Sequence, residues 1–555
     1  MDTGKQPLKI IPLGGLGEIG LNMMAFEYAD SIMVVDCGLM FPEDYMLGID
    51  IVIPDISYLM ENREKVKALV ITHGHEDHTG AIPFVLREIN VPIYATALTV
   101  GLIEEKLAEH RLLDKTTFET VRPRDTVSIG PFDVEFIRVS HSIVDGCGLA
   151  IKTPVGVVIH TGDFKLDQTP VDGEVIDYAR FSEYGEKGVL ALLSDSTNVE
   201  REGYTLSERE IGRNIEEIFG RCEGRIIVAA FSSNIHRIQQ VIDAADKFGR
   251  KVVLNGKSMV SNTGIARTLG YLNAPDGLLV DLRELGRLPQ NKVVLLTTGS
   301  QGEPMSALTR MALDNHKQIK VTKGDTIILS SKFIPGHEKA ITTMMNHLYR
   351  RGATVIYEKV SEVHVSGHAS QEELKIMLNM VRPEYFIPIH GEYRHLVLHG
   401  KLASKVGIPE SNIIIAEDGD VVEFTERGAG ITGRVEAGKV FVDGKGVGDV
   451  GEMVLKDRMH LAQDGMVIAV VSLNERTGEV IYGPDIVTRG LVFEEESAEL
   501  IEGAKAVVRA TLDGINAEAR SEQLEVEEEI RRALRRFFNK SLDRRPVILP
   551  IIIEI

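Results

Sequence analysis

Between the apolar run Ala68–Ile71 and a helix-like stretch, Thr79–Glu88, the chain reads Thr72-His73-Gly74-His75-Glu76-Asp77-His78-Thr79-Gly80. Four potential metal ligands fall within six residues, on a loop after a strand, where α/β proteins usually build their sites. Imidazole and carboxylate are borderline-to-hard donors suited to Zn2+ or Mn2+. A single loop histidine is usually just solvated, but an HxHxDH run seldom arises by chance. His73 and His75, separated by a glycine, are expected to converge on one ion. Asp77 and His78, at the start of the next helix, are placed to hold a second.

Other strand ends add to the set. His141, in Val139-Ser140-His141-Ser142, and Asp163, in His160-Thr161-Gly162-Asp163-Phe164, each follow a β-like run, and the Asp163 carboxylate could bridge two ions. Cys147 and His160 read as packed strand residues. Gly15-Leu16-Gly17-Glu18-Ile19-Gly20 matches the dinucleotide-binding GxGxxG pattern, with Asp36 at a suitable distance. That fingerprint needs a helix opening at the last glycine. Here Asn22–Tyr28 and Ser31–Val35 read instead as two strands joined at Ala29-Asp30, which favours a tight glycine turn between antiparallel strands. Asp36 then ends a strand.

The chain has 555 residues, a length that suggests three or four domains. With 43% hydrophobic and 26% charged residues its composition is that of a globular protein, not a disordered or fibrous one. No apolar run approaches membrane-spanning length. Met1–Lys9 is polar, with no visible signal or transit peptide, and three cysteines cannot build a disulfide framework. These features predict a cytoplasmic protein that does not enter membranes. A net charge of -20 argues against nonspecific coating of nucleic acid, but leaves room for a strand entering a locally positive, metal-bearing cleft.

Short β-like runs dominate up to about Ser196. After Thr205 strands and helices alternate: helix Ser207–Phe219, strand Arg225–Ala230, helix Ile235–Phe248, strand Lys251–Leu254, strand Val293–Thr297, helix Pro304–Asp314, strand Thr326–Ser330 and helix Lys339–Arg350. This predicts βαβ units around a mostly parallel sheet. From about Val360 to Thr432 strands, loops and functional histidines return. Gly428–Gly451 reads as a connector. The last hundred residues predict a small α/β unit with helices Ser497–Leu512 and Glu522–Phe538 and a terminal strand, Val547–Ile553, that is buried or a subunit interface. Arg531, Arg532, Arg535 and Arg536 follow Glu527 and Glu528, as on a salt-bridged solvated helix.

HxHxDH, then His141, then Asp163 resembles the metallo-β-lactamase superfamily. Ser194-Asp195-Ser196-Thr197-Asn198, a long insertion, His364-Val365-Ser366-Gly367-His368 and Pro388-Ile389-His390-Gly391-Glu392 resemble its β-CASP nucleases. Within that group the chain is similar to the ribonuclease J family over nearly its whole length. Leu13–Gly20, Thr298-Gly299-Ser300-Gln301-Gly302-Glu303-Pro304 and Arg544-Arg545-Pro546 carry this likeness. The resemblance implies an α/β fold: a metallo-β-lactamase αββα sandwich with an inserted β-CASP α/β domain and a small C-terminal α/β domain. The divisions expected are residues 1–205 and 361–432 for the sandwich, 206–360 for the insertion, 433–460 for a linker and 461–555 for the C-terminal domain.

By the same resemblance His73, His75, His141 and Asp163 hold one Zn2+, and Asp77, His78, His390 and the shared Asp163 a second, with Mn2+ or Mg2+ serving in activity. Asp36 orients metal-binding histidines. His368 is expected to protonate the leaving 3′-oxygen with Asp195 orienting it, the alternative being that His368 only binds phosphate. Ser232, Ser233, His364, Val365, Ser366, Gly367 and His368 are implied substrate contacts for the 5′-monophosphate of RNA, which explains stepwise 5′→3′ trimming and leaves endonucleolytic cuts open. Arg237 lies one turn into the helix after Ser232-Ser233. Gly48, Asp50 and Asp443 match a structural Ca2+ site, against solvated loop carboxylates as the other reading.

The partners implied are single-stranded RNA, including mRNA and rRNA precursors, a second copy in a homodimer or homotetramer, and an RNA-degradation complex. The alternatives are a catalytically idle RNA-binding scaffold paralogue and a β-CASP enzyme acting on DNA. Ala369 where glycine is frequent, and His337-Glu338 after Pro335-Gly336, depart from the family pattern; the latter pair tunes phosphate contacts or caps a helix.

Overall fold

A computed structural model describes residues 6–303, 305–333, 337–474, 477–491, 498–515 and 523–555. The chain forms two compact units. One comprises Met1–Phe41 and Ile51–Val440, the other Pro42–Asp50 and Phe441–Ile555.

Two sheets stack face to face in the first unit. One has eight strands in the order Gly428–Arg434, Asp420–Thr425, Leu8–Gly14, Met23–Tyr28, Ser31–Val35, Val66–Val70, Ile93–Thr96, Phe118–Val121. The other has six, in the order Pro383–Ile389, Val189–Asp195, Val157–His160, Cys147–Lys152, Phe132–Arg138, Thr126–Ile129. Phe26, Met33 and Val70 from the first meet Phe136, Leu149 and Leu193 from the second in one buried core. Truncating a ring such as Phe136 there costs about 3–5 kcal/mol. Helices Tyr178–Lys187, Gln371–Val381 and Tyr393–Lys405 cover the outer face of the six-stranded sheet, and Ile82–Glu88 and Ala97–Glu109 accompany the eight-stranded one. This is the αββα sandwich.

Leu8–Gly14 and Met23–Tyr28 pair antiparallel, with Gly15, Gly17 and Gly20 at positive φ between them. No helix opens at Gly20, so the glycine run is not a phosphate cradle; in place of the expected tight turn, Leu16–Gly17 forms a short strand paired parallel with Gly391–Glu392.

Parallel pairing is what brings distant residues to one edge. Val157–His160 pairs parallel with Val189–Asp195, which pairs parallel with Pro383–Ile389 in a register that sets Asp195 beside Ile389. Asp163, Asp195 and His390 therefore leave neighbouring strands at the same end, although the insertion separates the last from the others. In the facing sheet Ser31–Val35 and Val66–Val70 are also parallel, so Asp36 and the His73–His78 loop emerge together.

The insertion is a six-stranded parallel sheet in the order Leu279–Val280, Lys251–Asn255, Val293–Thr297, Ile226–Ala229, Thr326–Leu329, Thr354–Ile356. Helices Glu208–Arg221 and Ile235–Lys247 pack on one face, Ala307–Ala312 and Glu338–Arg350 on the other. Ser207 caps Glu208–Arg221 by accepting from Arg209 N. Residue 205 is not a break in packing, because Leu98, Ile143 and Val144 share a core with these helices.

Several elements differ from expectation. The helix expected over 79–88 is two, Glu76–Thr79 and Ile82–Glu88. Gly80 presses on Leu39, where a Cβ would lie 2.2 Å from Leu39 Cγ, and Pro83 opens the second helix. Helix Lys257–Thr268 has no counterpart in the sequence reading, since its Ser, Asn, Thr and Gly content is weakly helical. His337 occupies the N-cap of Glu338–Arg350 without a side-chain capping bond; Pro335 and Gly336 lie outside the described residues, as do Pro304, Ser497 and Glu522, the expected first residues of three helices.

The stretch 433–460, expected as a linker, carries strands Lys439–Asp443 and Gly446–Val447 and the start of helix Glu452–Asp464. In the second unit Met466–Leu473 pairs antiparallel with Val480–Arg489 and parallel with Val547–Glu554. Helices Ala498–Gly514 and Gln523–Leu542 cover one face through Val508, Leu512, Ile530 and Phe538. Arg531 and Arg532 pair with Glu528, and Arg532 also with Glu529, as on a solvated helix. No described helix is long and apolar enough to cross a membrane.

Candidate metal centre

The loop after Val66–Val70 is held from behind before it presents any ligand. Asp36, in the left-handed region at φ 60°, accepts from Thr72 N at 2.8 Å and from Thr72 Oγ1 at 2.9 Å, and its Oδ2 lies 2.8 Å from His78 Nδ1. Thr72 Oγ1 lies 3.1 Å from His73 Nδ1. Gly38 is needed because a Cβ there would lie 1.6 Å from the Asp77 carbonyl oxygen; Asn22 Nδ2 donates to that oxygen at 3.0 Å. His141 Nδ1 donates to Gly367 O at 2.8 Å, and His390 Nδ1 lies 2.8 Å from Thr197 Oγ1. In four histidines one ring nitrogen is thus held by oxygen, the arrangement that turns the other toward a cation.

Those free nitrogens converge. His75 Nδ1 lies 3.0 Å from His73 Nε2 and 3.1 Å from His141 Nε2. Ligand nitrogens around one tetrahedral zinc sit about 3.3 Å apart, so the spacing fits an ion shared by all three. Asp163 Oδ2 closes the group at 3.7 Å from both His73 and His141 Nε2. The same oxygen lies 3.3 Å from His78 Nε2. Asp77 Oδ2 is 3.6 Å from His78 Nε2 and 3.4 Å from His390 Nε2. Two groups able to hold a metal therefore share Asp163: His73, His75, His141 and Asp163, and Asp77, His78, Asp163 and His390.

The electrostatics agree with a site built for positive charge. Burial keeps His73 and His75 in the neutral, ligating form and pushes His141 down to about 3. Burial also opposes charge on Asp163 and Asp77, but surrounding imidazolium groups outweigh it and hold both carboxyls far below their usual range. His390 is buried too, yet Asp163, Asp195 and Asp77 raise it to about 10. Burial opposes charge on His78 as well, yet Asp163, Asp77 and Asp36 raise its pKa, so the carboxylates favour positive charge beside them.

His368 Nδ1 lies 2.8 Å from Asp195 Oδ2, and the pair flanks Asp163 with His390. Burial alone would lower the His368 pKa, but the Asp195 charge raises it. Asp195 is itself fixed by Thr197, whose N and Oγ1 donate at 2.9 and 2.7 Å. In the 364–368 loop Ser366 Oγ accepts from Asn198 Nδ2 at 2.8 Å, and His368 O accepts from Asn198 Nδ2 at 3.0 Å and Thr205 Oγ1 at 2.9 Å. Val365 is buried core. Ser232 and Ser233, half-buried, sit between strand Ile226–Ala229 and helix Ile235–Lys247, with Ser232 Oγ accepting from Asn262. Arg237 turns inward and is fully buried.

Thr72, Thr197, Asn198 and Asn22 hold the candidate site residues or their backbone by hydrogen bonds, and the sequence reading gave them no role. Thr72 adjoins the histidine run, and Thr197 and Asn198 stand in the same segment as Asp195, which were the signals available. In the second unit Asp50 Oδ2 accepts from Gly444 N at 2.8 Å. Arg458 donates to Asp443 Oδ2 at 2.5 Å and to Leu47 O at 2.8 Å, and packs over Gly48. A guanidinium already answers the carboxylate and a carbonyl there, so this donor set does not fit calcium, which takes six to eight oxygens.

A sandwich of this topology, with seven side chains able to hold metal gathered at one edge, defines a metallo-hydrolase of the metallo-β-lactamase type, carrying an α/β insertion. Family models agree piece by piece: the metallo-beta-lactamase superfamily over residues 17–197, the ribonuclease J beta-CASP domain over 223–348, the Zn-dependent metallo-hydrolase RNA specificity domain over 353–415 and the ribonuclease J C-terminal domain over 453–555. The chain is 43% identical to ribonuclease J2 of Bacillus subtilis over 99% of both chains. It is 44% identical to ribonuclease J of Thermus thermophilus over 99% of this chain and 95% of that one. A crystal structure of a protein of unknown function from Enterococcus faecalis shares the fold, with a TM-score of 0.54 at 18% identity, covering 75% of this chain and 100% of its own. The chain belongs to the ribonuclease J family.

Proposed function

We propose that this protein is a metal-dependent ribonuclease that trims 5′-monophosphorylated RNA from the 5′ end and also cuts internally, using two Zn2+ ions for which Mn2+ or Mg2+ can substitute. The observation that carries this reading is Asp163 Oδ2 standing between His73 and His141 on one side and His78 on the other. When bound, a pair of dications supplies Lewis acidity at a phosphate and lowers the pKa of water.

The chain's own residues do the remainder. Asp36, Thr72 and Thr197 fix the tautomers of His78, His73 and His390. His368, 20% exposed and paired with Asp195, is placed to give its proton to the departing 3′-oxygen. The His364–His368 loop and the Ser232-Ser233 turn supply hydroxyl, imidazole and backbone N–H groups for the 5′-phosphate. On this reading the protein acts in mRNA decay and rRNA maturation in the cytoplasm, in an RNA-degradation complex; the match of residues 353–415 to an RNA specificity domain supports the RNA part of it.

Leu549, Ile551 and Ile553 stand 46%, 38% and 44% exposed along strand Val547–Glu554. A second copy covering them accounts for that face, giving a homodimer or homotetramer. At Gly48, Asp50 and Asp443 we infer that Arg458 serves in place of calcium.

The test compares 5′-monophosphorylated with 5′-triphosphorylated RNA, with and without chelator, in the protein and in His75→Ala. Mononucleotide release from the monophosphate alone, abolished by chelator and by the variant, is the result expected. Turnover that survives chelation overturns it, and binding without turnover in the unaltered protein favours the scaffold.

A further inference from the structure

Arg237 is the largest completely buried side chain among the described residues. A buried guanidinium is costly, and apolar residues of similar volume often serve stability as well or better. All three of its nitrogens are committed. Nε donates to Gln240 Oε1 at 2.9 Å and Nη2 to Glu208 Oε2 at 2.6 Å. Nη1 donates to Val363 O at 2.6 Å and also to Ser330 Oγ, which itself donates to Val363 O at 2.6 Å. The Arg237 backbone N–H donates to Asn234 Oδ1 at 3.0 Å, the bond that caps its helix.

Val363 immediately precedes His364, and Asn234 immediately follows Ser233. One residue thus ties the roots of both loops assigned above to the 5′-phosphate: its backbone N–H holds Asn234 after the Ser232-Ser233 turn, and its guanidinium holds Val363 before His364. The far end of the 364–368 loop has separate anchors, Asn198, Thr205 and Asp195. The recognition end and the chemistry end of the loop are therefore held by different residues. Behind the recognition end, His364 Nδ1 and Glu208 Oε1 are buried without a hydrogen-bond partner among the described residues, so the loop root is not held by His364 itself.

We propose that Arg237 is a positioning residue for 5′-end recognition, fixing the span between the His364–His368 loop and the Ser232-Ser233 turn so that both meet one terminal phosphate. The proposal rests on the 5′-monophosphate reading. Lysine at this position keeps a cation beside Glu208 but loses the planar fork that reaches Val363 O, Ser330 and Gln240 together. Ser330→Ala removes one bond to Val363 O without touching charge.

The readout is the ratio of kcat/KM on a 5′-monophosphorylated RNA to that on the same RNA with a 5′-hydroxyl. A merely structural role lowers the active fraction and moves both rates alike, leaving the ratio unchanged. Arg237→Lys is expected to lower the ratio about tenfold, and Ser330→Ala about threefold. If Arg237→Lys does not fold, Ser330→Ala decides alone. Ratios within about twofold of the unaltered enzyme, when that enzyme discriminates, overturn the assignment of Arg237 only. An unaltered enzyme that does not discriminate overturns the 5′-end reading and this proposal with it.

Discussion

His390 Nε2 lies 3.4 Å from Asp77 Oδ2, although 313 positions separate the two residues. The contact exists because strand Pro383–Ile389 inserts beside Val189–Asp195 after the whole α/β insertion has been traversed. It is set by a left-handed backbone at His390, φ 53°, a conformation that costs a non-glycine residue about 1 kcal/mol or more and persists where the surroundings enforce it.

Asp77→Asn therefore removes charge from the second ion's position and leaves the first group, His73, His75 and His141, intact. Metal analysis after dialysis is expected to fall from two ions to about one per chain, with turnover down ~10²-fold or more. Two ions retained with wild-type rates would remove Asp77 from the ligand set.

Gly367 lies where no side chain fits. A Cβ there would stand 2.6 Å from His141 Cε1 and 2.7 Å from Nδ1. Gly367→Ala must displace either the His141 ring or the carbonyl that orients it, so it is expected to weaken metal retention by about 10–100-fold, read by competition with a chromophoric chelator, while far-UV circular dichroism stays unchanged.

The legible parts of this centre were those written locally. His73, His75, Asp77 and His78 declare themselves by spacing, and His141 and Asp163 by their place after strand-like runs. His390 carries no local signal, because parallel register between Val189–Asp195 and Pro383–Ile389 is a tertiary choice; only family resemblance reached it. Thr72 and Thr197 look like ordinary strand-end threonines, and their function is visible only in the bonds to Asp36, Asp195 and His390. The same reason hides the membership of Pro42–Asp50 in the second unit, since nothing in nine residues foretells a partner almost four hundred positions away. The break at Gly80 was written in Gly80 and Pro83, but continuous apolar periodicity on either side masked it.

Glu208 gives the insertion an acid-sensitive pin. Burial alone would raise its pKa, but Arg237 and Lys165 lower it to about 2. A carboxyl lowered in the folded state stabilises above its unfolded value, near 4.5, and loses that contribution as pH falls toward 2. The contribution is on the order of 3 kcal/mol. Glu208→Gln is expected to melt lower than the unaltered protein at pH 7, with the gap narrowing as pH is lowered from about 5 toward 3. A gap independent of pH would show that the charge on Glu208 is not what stabilises.

Arg458 makes a last prediction, about the calcium reading of Gly48, Asp50 and Asp443. Its guanidinium bridges Asp443 and the Leu47 carbonyl while Gly444 N satisfies Asp50, so the segment around Gly48 is tied to strand Lys439–Asp443 without a cation. A calcium-selective chelator, with zinc and manganese kept in excess, is expected to leave the melting temperature unchanged. Arg458→Met strips the positive charge from the Asp443 carboxylate. The variant is expected to melt a few degrees lower, a loss of about 1–2 kcal/mol spread over a large unit, and to recover part of that loss when millimolar calcium is added, because the freed Asp443 carboxylate and Leu47 carbonyl then offer oxygen donors to a hard cation. Destabilisation of the unaltered protein by the chelator, reversed by calcium, would return the site to the metal.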